Sequence, residues 1–69
     1  PDLADFNRPL NARGLEAATY IGTVIYNNHL QPDLIVSSPA KRARQTAVLV
    51  KETSQSQAKI RYEERVYEA

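Results

Sequence analysis

Apolar residues recur at three- and four-residue steps between Arg13 and about Leu30, at Leu15, Ala18, Ile21 or Gly22, Ile25, and His29 or Leu30. That spacing lines one face of a helix. Asn11 is placed to cap its start, because a short polar side chain there can accept from the unpaired amides of the first turn. Asn27 and Asn28 weaken the far end, and Pro32 forbids continuation, so Gln31-Pro32-Asp33 is predicted to turn the chain. Leu34-Ile35-Val36 follows without polar alternation, the pattern of a strand buried on both faces of a parallel sheet. A second helix is predicted from Ser38 to about Thr53, with Pro39 in its first turn. Ala43, Thr46, Ala47 and Val50 form its inward stripe, leaving Arg44, Gln45, Lys51 and Glu52 for solvent. Ser54-Gln55-Ser56-Gln57 is a polar loop, and Ala58 to Tyr62 alternates with β-formers as a strand does. Residues 1–12, with Pro1, Asp2, Asp5, Asn7, Pro9 and Asn11, are rich in turn formers and make an irregular lead-in.

The order helix, strand, helix, strand predicts an α/β fold with a mostly parallel sheet. The strand–helix–strand crossover is expected to be right-handed. A strand that needs cover on both faces, with one helix before it and one after, implies further strands beside it. The chain opens at Pro1-Asp2 without a methionine and stops at Tyr67-Glu68-Ala69, so residues 1–69 are expected to be a single partial domain of a larger protein.

Composition narrows the chemistry. Sixty-nine residues make one small domain at most, and the absence of cysteine leaves packing alone to hold it. A lone histidine, His29, makes a histidine-based metal cage a poor fit. It stands in the tail of the first helix beside Asn28 and Leu30 and reads as a surface or capping residue. A formal charge of +1 gives no global field toward nucleic acid or a membrane surface. No apolar run is long enough to span a bilayer and no signal peptide opens the chain, so a cytoplasmic location is expected.

The junction after Leu34-Ile35-Val36 is where chemistry concentrates. Ligands in open α/β sheets collect outside the carboxyl ends of the strands. The first amides of a helix lack intrahelical partners and carry the positive end of its dipole, so an anion placed there finds ready donors. Arg42 would add a charged fork in the first turn. Taken alone, it reads more readily as a solvated surface arginine paired with a glutamate. Ser38 suits a cap better than a nucleophile, since no histidine or aspartate stands in a context that would activate it. Lys41, Arg42, Arg44 and Lys51 are spread around the helix with no interleaved aromatic, which is a weak nucleic-acid signal. Tyr20, Tyr26, Tyr62 and Tyr67 read as core-edge residues with wet hydroxyls.

The stretch Ser38-Pro39-Ala40-Lys41-Arg42-Ala43-Arg44-Gln45-Thr46-Ala47 resembles the Ser-Pro-x-x-Arg-Ala-x-Gln-Thr-Ala signature of the histidine phosphatase superfamily, also called phosphoglycerate mutase-like. Upstream, Arg8-Pro9-Leu10-Asn11-Ala12-Arg13-Gly14 is similar to the Arg-Pro-Leu-Thr-x-x-Gly segment of its small SixA-like phosphohistidine phosphatase branch, with Asn11 where that branch often has Thr. Downstream, Glu63-Glu64-Arg65-Val66-Tyr67 is similar to the family's Asn-Glu-Arg-x-Tyr or Glu-x-Leu-Tyr stretch. Order and spacing agree across essentially the whole chain.

The resemblance implies a fragment of a three-layer α/β/α sandwich that hydrolyses a phosphoryl group through a covalent phosphohistidine, without metal or other cofactor. The implied partner is a phosphorylated substrate such as a phosphohistidine-carrying protein, and not nucleic acid or membrane. Arg42 becomes the phosphate-binding, catalytic arginine, with Ser38 beside it. Glu64 becomes the proton donor, although Glu63 and Glu68 are near enough to take its place and an exposed carboxylate would explain it as well. Arg65 is expected to pair with Glu63. The family's nucleophilic histidine lies in an Arg-His-Gly or Arg-His-Ala motif on its first strand, and a second histidine lies near the carboxyl end. Neither motif occurs in these residues, so the 69 residues alone are expected to be inactive, lacking the catalytic strand and the C-terminal part. Two alternatives stay open: a mutase or sugar-phosphate phosphatase of the same superfamily, and a non-catalytic α/β module that keeps an anion site.

Overall fold

The computed structural model describes residues 7–65, in the order α1 (Ala12–Asn27), β1 (Leu34–Ser37), α2 (Lys41–Thr53) and β2 (Lys59–Tyr62). The first six residues of the lead-in, together with Val66, Tyr67, Glu68 and Ala69, lie outside the described residues. Asn11 caps α1 as its position predicts, with extended backbone and its Oδ1 accepting from the Gly14 N–H at 2.9 Å.

The first helix stops three residues short of Leu30 because of its own C-terminal turn. His29 takes a left-handed backbone (φ 56°), which aims its N–H at the Tyr26 carbonyl (3.1 Å) and the Leu30 N–H at the Ile25 carbonyl (2.9 Å). This is a Schellman stop with histidine where glycine is usual. His29 is therefore the capping residue its context suggested. The second helix ends the same way: Gln55 has φ 54°, its N–H donates to Glu52 and the Ser56 N–H donates to Lys51, both at 3.1 Å.

Strands β1 and β2 pair in parallel, with Leu34 opposite Lys59, Ile35 opposite Ile60, Val36 opposite Arg61 and Ser37 opposite Tyr62. Successive side chains alternate across a sheet. Ile35, Ser37, Ile60 and Tyr62 thus share one face, and Leu34, Val36, Lys59 and Arg61 the other. The expected burial of β1 on both faces is not met among the described residues: Ile35 is half-buried and Ser37 buried, while Leu34 and Val36 are 47% and 50% exposed. Helix α2 packs on both strands and on α1. One sheet face is therefore covered, and the apolar side chains on its opposite face are not.

The core is built from small residues. Ala18, Ala40, Ala47 and Ala58 are buried, and Ser54 is fully enclosed. Helix α1 meets α2 at Gly22, where a Cβ would fall on the Thr53 side chain and lie 3.1 Å from the Val50 carbonyl oxygen. Such close approach is open only to a residue without a side chain. The contact is made by Ala18 and Gly22, so the bulky members of the predicted stripe, Leu15, Ile21 and Leu30, flank it and remain exposed. On α2 the inward stripe is as predicted, with Ala47 buried and Ala43, Thr46 and Val50 half-buried. Tyr26 and Tyr62 keep edge positions, but Tyr20 stands out in solvent.

The polar loop after α2 is not a solvated connection. Ser54 and Ser56 are buried, with Gln31 Nε2 donating to the Ser54 carbonyl and Ser56 Oγ to the Pro32 carbonyl, both at 3.4 Å. These bonds fasten the two turns at the amino ends of the strands, opposite the end where a ligand would sit. Buried serines persist there because their hydroxyls have partners.

Candidate anion site

At the carboxyl end of β1 the backbone does not enter α2 directly. Pro39 and Ala40 form a bend, and the helix begins at Lys41, later than the predicted start at Ser38. Ser38 is accordingly not the helix cap. Its Oγ accepts from the Ala40 N–H at 3.1 Å, two residues on, closing a serine turn that delivers the chain into the helix. Ser56 does the same for Ala58 at 3.0 Å ahead of β2. In both turns the third residue is a buried alanine, and the serine hydroxyl supplies the acceptor that its amide would otherwise lack. Ala40 itself occupies the cap position without a side-chain hydrogen bond.

The consequence for chemistry is a helix start whose first amides have no intrahelical partner. The first i to i−4 bond of α2 runs from the Arg44 N–H to the Ala40 carbonyl at 2.9 Å. Amides in the turn before it have no carbonyl four residues back inside the helix. The first turn of α2 itself contains no acidic residue, so its own sequence adds no negative charge to the positive end of the helix dipole.

Arg42 and Ser38 come together. Both line a groove of about 420 Å³ whose walls include Leu10, Ser37, Thr46 and Val50. Arg42 is half-buried and Ser38 buried. A guanidinium held against the groove wall presents fixed donors to a planar or tetrahedral anion and stays protonated at any relevant pH. Thr46 turns its hydroxyl back to the Arg42 carbonyl (2.8 Å), and Ser37 Oγ donates to the Ser38 carbonyl (2.8 Å). Those two hydroxyls serve the backbone around Arg42.

Glu64 is not in that groove. It is exposed, two residues beyond β2. The Glu63 N–H donates to the Ser37 carbonyl at 2.8 Å, which extends the parallel ladder and keeps the chain after β2 beside Ser38 at the same end of the sheet. The expected Arg65–Glu63 pair does not form. Glu63 instead meets Arg61 at 3.4 Å, because residues two apart on an extended strand project to the same side. Glu68 lies outside the described residues.

Of the α2 residues assigned to solvent, Gln45 and Lys51 are half-buried, and Gln45 is the one whose side chain makes a long-range bond. Its Oε1 accepts from the Leu10 N–H at 2.7 Å across 35 residues of sequence. Its place one turn after Arg42 was the available signal, because residues three apart share a helix face. Lys41 and Arg44 open onto a separate groove of about 560 Å³ with Leu15, Gln45, Val48, Leu49 and Tyr62. Lys51 borders a third groove, so the basic residues of α2 are split among three grooves rather than gathered into one patch. Among the described residues no group of histidine, cysteine, aspartate and glutamate is arranged to hold a metal ion, and no helix is long and apolar enough to cross a membrane.

Comparison with known proteins places this arrangement. The sequence profile of the histidine phosphatase superfamily (branch 1) matches residues 5–69. A crystal structure from Agrobacterium tumefaciens, provisionally assigned as the phosphohistidine phosphatase SixA, superposes with a TM-score of 0.82 at 35% sequence identity. The match covers 99% of this chain and 45% of that one, so the 69 residues span less than half the length of that protein. No curated protein sequence matches the chain.

Proposed function

Because the chain belongs to the histidine phosphatase superfamily, we propose that the complete protein is a phosphatase acting on protein phosphohistidine, with the phosphoryl group held between Arg42, Ser38 and the first amides of α2. The observation that carries this reading is the groove that Arg42 and Ser38 share at the start of α2. In the reaction, a histidine of the family's Arg-His motif, which these residues do not supply, attacks phosphorus as the bond to the substrate's leaving atom breaks. Charge gathers on the three equatorial oxygens, and Arg42 stabilises it electrostatically. Glu64 delivers a proton to the leaving group, and water then attacks phosphorus to release phosphate and regenerate the histidine. The family's chemistry needs no metal. Among the described residues the Leu34 and Val36 face of β1 is open, and we read it as the place where a further layer would complete a three-layer sandwich with the family's catalytic strand beside it, residues 1–69 being part of that one domain.

The test is an assay of the complete protein on a phosphohistidine-bearing protein, with Arg42→Ala alongside. Phosphate release with an acid-labile phosphoenzyme is expected, and Arg42→Ala should lower turnover on the order of a hundredfold or more. No release from any phosphohistidine or phosphate ester would overturn the reading. Unchanged turnover in Arg42→Ala would remove Arg42 from the site.

A further inference from the structure

We infer that Gln45 is a positioning residue, whose side-chain carbonyl clamps the Leu10 backbone and so sets the wall of the groove in which Arg42 holds its anion. The inference rests on the phosphatase reading for its consequence, though not for its geometry. A backbone N–H only donates, so the 2.7 Å contact fixes the Gln45 amide with Oε1 toward Leu10. Arg42 and Gln45 stand three apart on α2 and therefore on neighbouring positions of one face. The helix that carries the anion-binding arginine thus also carries the tether for the segment facing it.

That segment needs a tether. Asn7, Arg8 and Pro9 are exposed, and Pro9 has no N–H to offer, whereas Leu10 is half-buried and lines the groove with Ser38 and Arg42. Asn11, next in the chain, is fixed by its cap on Gly14. Leu10 is therefore held on one side by the helix it introduces and on the other by Gln45. Gln45 also borders the neighbouring groove of Lys41 and Arg44, so it stands in the partition between the two. Loss of the clamp frees Leu10 to move and loosens the anion's surroundings, without removing any group that touches the reacting atoms.

Gln45→Met, which keeps the side chain's length but removes the acceptor, is the test in the complete protein. The KM for p-nitrophenyl phosphate and the inhibition constant of vanadate should each rise about tenfold, the equivalent of one hydrogen bond, with kcat within about threefold of wild type. In a Leu10→Pro background, where the donor is already gone, the same change should alter KM less than about twofold. Amide exchange at Leu10 provides the readout independent of activity: slow in wild type and fast in Gln45→Met. Unchanged exchange overturns the clamp. Faster exchange with KM and vanadate inhibition unaltered, or an equal effect of Gln45→Met in both backgrounds, overturns its role at the site. A wild-type protein with no turnover and no vanadate binding would overturn the phosphatase reading and the role with it, while exchange still decides the clamp.

Discussion

Gly22 of α1 lies against Thr53 of α2 so closely that a β-carbon at position 22 would coincide with the threonine side chain. In an isolated helix, alanine is about 1 kcal/mol better than glycine. Here the sign reverses, because the Val50 carbonyl at 3.1 Å belongs to backbone and the helices would have to separate. Gly22→Ala is expected to destabilise the complete protein by about 1–3 kcal/mol in urea denaturation, as overpacking of a close contact does. Stability equal to or above wild type would show that the helices do not meet there.

Opposite behaviour is expected at the two helix ends. His29 and Gln55 hold left-handed backbone at positions where a β-carbon is strained. His29→Gly and Gln55→Gly should each raise stability, by about 0.5–1 kcal/mol after allowing for glycine's greater freedom in the unfolded chain. Thermal melts of the two variants read this directly, and a fall in both would contradict the assigned stops.

Ser38 Oγ accepts from the N–H of the buried Ala40. Ser38→Ala should cost about 1–3 kcal/mol of stability through the orphaned N–H. It should also leave turnover well above that of Arg42→Ala, since the hydroxyl shapes the turn and is not the nucleophile. Turnover abolished at full stability would instead make the hydroxyl a chemical participant.

Glu64 stands exposed at the sheet end that Ser38 occupies. As proton donor it should matter in proportion to the basicity of the leaving group. Glu64→Gln is expected to slow an alkyl phosphate about a hundredfold, within the range of general acid catalysis, while p-nitrophenyl phosphate changes little. Equal effects on both substrates would give the proton to another group.

The sequence made the order of elements legible because Pro32, the asparagines and the apolar spacing act locally. The Asn11 cap, the parallel pairing and the inward face of α2 followed from the same local rules. What local rules left out was set by long-range contact. The first helix buries alanine and glycine rather than leucine and isoleucine because Thr53, far along the chain, approaches it there. Gln45 reads as polar and outward until Leu10 is brought beside it, and Ser54 and Ser56 read as solvated loop until Gln31 and Pro32 meet them. That Arg42 and Ser38 would meet at the strand–helix junction was legible from their place after β1, while the later start of α2 was not, since it depends on a serine turn that competes with helix entry.

The central claim is that a tetrahedral phosphoryl group sits against the start of α2 in the grip of Arg42. A crystal structure of the complete protein with vanadate measures this most directly. The expected result is vanadium in the Ser38–Arg42 groove, its oxygens within hydrogen-bond distance of the Arg42 guanidinium and of amides in the first turn of α2. Vanadate bound elsewhere, with the Arg42 side chain turned to solvent, would contradict it.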